Sequence, residues 1–214
     1  MPQPVHYSDH IEYQFTPNAL LLRPNLSAHI AAISMQWNEI EARIATMLAA
    51  LLGGEAKTGI SIFFSITNDG AKRAAVDTIC NLKLSPVNKS QLQDILKKVG
   101  ERYADRNTVI HGAWGVSQKY PDALLWSDIK EAVLLHVDMM TLQGKENETA
   151  RNERRIAYQK TLKVWKEQDF RDVEARLMSA YDELFAFSTP IIASAFGPHA
   201  RSVQPKPLLP LGKP

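Results

Sequence analysis

Residues 91–117 read QLQDILKKVGERYADRNTVIHGAWGVS, and the stretch changes character at Gly112. Before it, Leu92, Ile95, Leu96, Val99, Tyr103 and Ile110 recur largely at helical steps, which predicts one buried helix face. Gly112 reads as the C-terminal stop of that helix. After it, residues 114–117 and 123–126 are short apolar pieces flanking QKYPD, in which Pro121-Asp122 is a turn signal. The pattern predicts a long helix that runs into a β-hairpin and leaves Arg106, Asn107 and His111 in the last helical turns.

Upstream, Ile30, Ile33, Trp37, Ile40, Ile44, Leu48 and Leu51 form another apolar stripe, with Asn25 or Ser27 as N-cap and Gly53-Gly54 as the stop. GISIFFSI, residues 59–66, reads equally as a buried strand or a buried helical segment. Asn68, Asp69 and Gly70 punctuate, and a shorter helix is predicted over 71–82 with Ala75, Ile79 and Cys80 inward. Pro86 and Asn88 predict a turn, with Ser90 as N-cap of a helix starting near Gln91. Downstream, AVLLHV at 132–137 reads as a third strand or a helical turn, with His136 a core or edge histidine. Residues 139–160 are polar. Asp169 is read as the cap of a final helix through Phe170, Val173, Leu177, Tyr181 and Leu184, closed by Pro190. The first 24 residues carry Pro2, Pro4, Pro17 and Pro24 and read as an extended arm that includes His6 and His10, with ALLL at 19–22 against the body. The Pro-rich tail, 191–214, holds PLLP, which fits either a PxxP ligand or a disordered terminus. The fold class expected is mainly α, one helical domain over 25–190 with a small β-hairpin element after the motif helix.

Composition narrows the function classes. The 214 residues are 45% hydrophobic and 22% charged, and 25 basic against 23 acidic side chains leave a formal charge of +2. A chain so nearly neutral is no general nucleic-acid coat, although a local patch is compatible with it. The one cysteine, Cys80, excludes an intrachain disulfide and a cysteine-rich zinc site. No apolar run approaches the roughly 18 residues of a membrane span, and MPQPVHYSDHIEYQ lacks the pattern of a signal peptide. A soluble, cytoplasmic protein is expected. No set of His, Asp and Glu has metal-ligand spacing, and there is no phosphate-binding glycine loop, so neither metal nor cofactor is expected.

Chemistry concentrates in ERYADRNTVIHGAWG, residues 101–115. A helix turns about 100° per residue, so Asn107 and His111 stand one above the other and Asn107 can orient the imidazole. Arg106 is about 140° away from His111 around the helix and about 7.5 Å along it, so one helix splays the pair. Two such helices can converge two Arg and two His in one cleft. Arginine offers a permanently charged fork for phosphate oxygens. Imidazole, with an ordinary pKa of about 6.5, exchanges protons near neutrality. RNA supplies its own nucleophile, the 2′-hydroxyl, so these two groups suffice for its cleavage. The alternatives are an arginine that favours the helix dipole or pairs with Asp105 or Asp69, and a histidine that caps the helix.

RNTVIHGAW, residues 106–114, resembles the RX4-6H motif of the HEPN superfamily, the higher eukaryotes and prokaryotes nucleotide-binding domain, in the form RNxxxHGxW. WNEIEARI, residues 37–44, is similar to the aromatic-plus-glutamate first helix of such domains. The resemblance spans about residues 25–190 and is sharp over the motif. It implies a HEPN-like helical bundle that works as a homodimer. It also implies a metal-independent endoribonuclease that leaves a 2′,3′-cyclic phosphate or its hydrolysis product, with Arg106 and His111 catalytic. Phage defence, stress response or a toxin–antitoxin pair, with an antitoxin or regulatory protein as partner, is the setting implied. Some HEPN toxins carry a tyrosine two residues after the histidine, the target of a modifying nucleotidyltransferase. Here Ala113 stands there, which puts silencing by that route in doubt. The alternative is a non-catalytic HEPN-like module for RNA or nucleotide binding, or for protein interaction and dimerisation.

Around the motif, Arg102 widens a phosphate-binding face or pairs with Glu101 or Asp105. Glu41, like Glu39, tunes Arg106 or Arg102 or only solubilises its helix. Trp114 and Tyr120 stack on bases or pack the hairpin. Arg151, Arg154, Arg155 and Lys160 bind RNA through its phosphates, or form a solvated face with Glu146, Glu148 and Glu153.

Overall fold

The stripe from Ile30 to Leu51 becomes helix α1, Pro24–Leu52. Pro24 occupies the first helical turn, where a missing N–H costs nothing, and Ser27 lies inside the helix, its hydroxyl donating to Pro24 O. Gly53, at φ 70°, ends α1 in the left-handed region, as its place after the stripe predicts. The computed structural model describes residues 2–5 and 11–197. His6, His10 and the tail from residue 198 onward, PLLP included, lie outside them. The described residues are mainly helical, with a small antiparallel sheet, and divide into two compact units, one from the described residues up to 37 with 100–178 and the other from 38–99 with 179–197.

The described residues of the second unit form helices and the turns between them, with no strand. GISIFFSI resolves as helix: α2 spans Ala56–Ser65. Gly59 explains the choice, since a Cβ there would lie 2.6 Å from Ala49 Cβ. The bare glycine brings α2 onto α1, and Phe63 is buried one turn on. Helix α3, Asp69–Lys83, starts earlier than predicted because Asn68 Oδ1 accepts the Ala71 amide at 2.9 Å and so serves as N-cap. Helix α4 is Pro86–His111, which corrects both the turn at Pro86–Asn88 and the Ser90 cap. Pro86 begins the helix, and Ser85 Oγ accepts the Asn88 amide at 3.3 Å.

Pro190 does not close the last helix either. Helix α7 continues through it, Glu167–Phe196, and Gly197 at φ 81° follows the end. The turn before the proline is reinforced from α1. Arg43 Nε donates to Ser188 Oγ and its Nη2 to Thr189 Oγ1, both at 2.6 Å, with Phe185 O at 3.3 Å from Nη2. Those hydroxyls donate onward to Leu184 O and Phe185 O.

The first unit holds the sheet. Its strands are β1 (Gln3–Pro4), β2 (Gln14–Phe15), β3 (Gly112–Val116), β4 (Leu124–Asp128) and β5 (Lys163–Trp165), all antiparallel in the order β1-β5-β4-β3-β2. The β3–β4 hairpin is the predicted one. Residues of the stretch read as an arm supply β1 and β2, and Val5 and Ile11 bury in the core beside Leu125, Tyr158, Leu162 and Val164. Burying each such side chain stabilises the fold by about 1.5–3 kcal/mol. In ALLL, Ala19 is buried but Leu21 and Leu22 are exposed. Residues 132–137 lie in helix α5, Ile129–Thr141, and α6 spans Glu148–Gln159. His136 is exposed on α5 rather than in the core. Asp169 lies inside α7, its carboxylate accepting the Lys166 amide at 3.0 Å.

Candidate functional site

The last turns of α4 carry the motif. A helix leaves its final carbonyls without amide partners, and here two indoles take up two of them. Trp126 Nε1 donates to Thr108 O at 2.7 Å and Trp114 Nε1 to Val109 O at 3.1 Å. Both tryptophans come from the hairpin, where they face each other in register. Gly112 follows at once as the first residue of β3, and its φ is not positive. The helix therefore ends where the sequence reading put its stop, but not through a left-handed glycine. The reason for the glycine is space: a Cβ at Gly112 would sit 1.8 Å from Trp126 Nε1. The arrangement ties the residue after His111 to the sheet.

Arg106 and His111 meet on one helix. Arg106 Nη1 donates to Asn107 Oδ1 at 2.9 Å and lies 3.3 Å from His111 Nε2. The splay expected from helical geometry is overcome by the length of the arginine side chain, which runs along the helix. Asn107 therefore orients the guanidinium and not the imidazole. Guanidinium has only donors, so a hydrogen bond across this contact uses Nε2 as its acceptor. Arg106 Nε is buried and without a partner, while His111 is exposed. The pair thus combines a cation with unused donor capacity and an accessible imidazole.

The neighbouring charges are already engaged. Asp105 Oδ2 accepts from Arg102 at 3.2 Å and from Arg176 of α7 at 3.1 Å, and Arg102 also pairs with Glu101 at 3.0 Å. Glu41 belongs to the helical unit, where it pairs with Lys72 Nζ at 3.0 Å. On α6, Arg154 reaches back to α5 and pairs with Asp138 at 2.5 Å, and Arg151 Nη2 donates to Gly144 O at 3.4 Å. Arg155 and Lys160 are exposed. Half of the basic run therefore holds α6 in place and half faces solvent.

Trp114 packs against Trp165 and Phe170, at ring-centroid distances of 5.7 and 5.6 Å, and Tyr120 packs on the core beneath the other sheet face. Trp126, partly exposed like Trp114, carries Lys163 Nζ 4.8 Å over its ring. Sequence reading passed over Trp126 and Lys163. Hairpin register is the signal that finds them, because it sets Trp126 opposite Trp114 and Lys163 opposite Trp126. Trp37, from the WNEIEARI stretch, lies 5.4 Å from Tyr103 of α4, ring to ring.

Among the described residues, no group of three His, Cys, Asp or Glu is placed to hold a metal ion, and no helix is long and apolar enough to cross a membrane. Burial pushes the Cys80 thiol up to about 11. A groove of about 770 Å³ in the helical unit is lined by Leu51, Lys83, Asn88, Gln91 and Phe187 among others and contains no motif residue. Comparison with protein families, curated proteins and solved structures returns no match for this chain.

Proposed function

We propose that this protein is a metal-independent endoribonuclease of HEPN type. The observation that carries the reading is the Arg106–His111 pair at 3.3 Å, set on a helix end fixed by two indole hydrogen bonds. A phosphodiester entering the site draws the Arg106 guanidinium onto its non-bridging oxygens and frees Nε2. His111 then takes the 2′-hydroxyl proton, the 2′-oxygen attacks phosphorus, and the bond to the 5′-oxygen breaks. In a homodimer the second copy of His111, protonated, returns a proton to that leaving oxygen. The products are a 2′,3′-cyclic phosphate and a 5′-hydroxyl. Phage defence, stress response or a toxin–antitoxin pair in the cytoplasm is the setting this reading carries, with an antitoxin or regulatory protein as partner.

Single-stranded RNA incubated with the protein in EDTA tests it. Cleavage that persists in EDTA, and falls by about 10²–10⁴-fold in His111→Ala, is the expected result. Intact RNA with both proteins, at equal helicity, refutes it.

A second reading, a non-catalytic interaction and dimerisation module, is favoured by α5. None of its residues is buried. Ile129, Val133, Val137 and Met140, spaced to share one helix face, are all exposed, and an apolar stripe of this kind marks a contact surface. Val137→Asp is expected to lower the molar mass measured by light scattering from dimer to monomer; an unchanged mass removes α5 from the interface.

A further inference from the structure

We infer that Trp126 and Lys163 form a nucleotide subsite of the same centre, in which a base of bound single-stranded RNA stacks on the indole and Lys163 contacts a neighbouring phosphate. The inference rests on the ribonuclease reading for its ligand and on the following geometry for its place. The Trp126 ring is fixed along its pyrrole edge, with Nε1 bonded to Thr108 O at 2.7 Å and the same edge against the bare Cα of Gly112. Gly112 is the residue next to His111, so the indole edge lies one residue along the chain from the reacting group. Trp126 remains partly exposed, and the residue over its face is an exposed lysine, Nζ 4.8 Å from the ring. A cation over an exposed ring is held weakly, so a base can displace it.

The other aromatic side chains near the motif are committed elsewhere. Trp114 lies in the Trp165–Phe170 cluster and caps Val109, and Tyr103 lies against Trp37. Stacking tolerates any base, because every base has a π face, so the subsite favours unpaired RNA without dictating sequence. Displaced from the ring, the Lys163 ammonium stays within reach of the strand and adds one phosphate contact. A charge supplied locally in this way suits a chain whose overall charge is only +2.

The test uses the full chain carrying His111→Ala, so that RNA is bound and not cut. Its probes are a fluorescein-labelled oligouridylate of about ten nucleotides and the same ribose-phosphate strand without bases. The normal strand is expected to bind about tenfold more tightly than the abasic one. Trp126→Phe and Trp126→Leu both remove the hydrogen bond to Thr108, and only Phe keeps a π face. Phe is therefore expected to retain most of the base-dependent gain and Leu to lose it, with helicity equal in the two. Lys163→Gln is expected to reduce the salt dependence by about one phosphate contact. Equal losses in Phe and Leu, or equal binding of both strands, overturn the subsite; if the chain with His111 intact still cleaves RNA, the ribonuclease reading stands. A base-dependent gain without any cleavage leaves the subsite and removes the catalysis. Absence of both RNA binding and cleavage overturns both.

Discussion

Arg43 and Arg106 are both half-buried guanidiniums, one in each unit, and among the described residues neither is paired with a carboxylate. Their surroundings differ in kind. Arg43 spends Nε and Nη2 on two hydroxyls and a main-chain carbonyl of α7, and its Cζ stands 4.2 Å over the Phe185 ring. Burial holds this guanidinium below its ordinary pKa, with Tyr181 opposing slightly. Arg106 rests on a neighbouring amide oxygen and an exposed imidazole, and its buried Nε has no partner. A cation bonded to fixed main-chain and hydroxyl groups braces a helix. A cation with an idle donor beside an exposed imidazole retains attraction for an anion, since buried donors are ordinarily satisfied.

Exchanging each arginine for methionine tests that contrast most strongly. Arg106→Met is expected to lower RNA cleavage by about 10²–10³-fold, the usual cost of removing a preorganised donor to a developing charge, and to move the urea midpoint little. Arg43→Met is expected to do the opposite, costing about 1–3 kcal/mol of stability while cleavage per folded molecule is kept. Interchanged outcomes, read by urea unfolding and a cleavage assay, break the distinction.

Gly112→Ala probes how the Arg106 end is held. The new Cβ meets the Trp126 indole, so Trp126 must leave Thr108 or β3 must shift. A loss of about 1–3 kcal/mol and a changed tryptophan emission are expected; an unaltered thermal transition means that the indole cap does not anchor the motif.

The smallest effect belongs to the helical unit that Arg43 braces. Burial, aided by Asp77, pushes the Cys80 thiol up to about 11. A group whose folded pKa is raised contributes stability in full below its unfolded value, about 9, and loses it as pH rises through 11. Cys80→Ala is therefore expected to flatten the decline of Tm between those pH values by a few degrees at most. Alkylation of native Cys80 at pH 8 as fast as a free thiol contradicts its burial.

Much of the fold was legible, and for a local reason. The stripe from Ile30 to Leu51 and the face from Leu92 to Ile110 repeat at the helical period, and Pro121-Asp122 marks its turn within a few residues. The β1 and β5 strands were not legible. Two or three residues carry no period, and Gln3–Pro4 becomes a strand only because β5 offers it an edge. Of the site, Arg106, Asn107 and His111 stood out as a pattern, but the bond each makes did not. Arg102 and Glu41 engage Asp105 and Lys72, partners from which no local spacing singles them out.

The residue pattern alone determined a mainly helical chain, a hairpin after the motif helix, and one Arg–His constellation, because periodicity, turn chemistry and residue type act over short stretches. Tertiary structure alone decided that GISIFFSI is helix, since Gly59 must meet Ala49. It decided that α7 passes Pro190, since Arg43 bonds to the turn before the proline. It also decided that Arg106 reaches His111 and that Trp126 closes on Gly112. Those outcomes depend on side chains brought together across long sequence separations or turned along a helix, and only packing sets them.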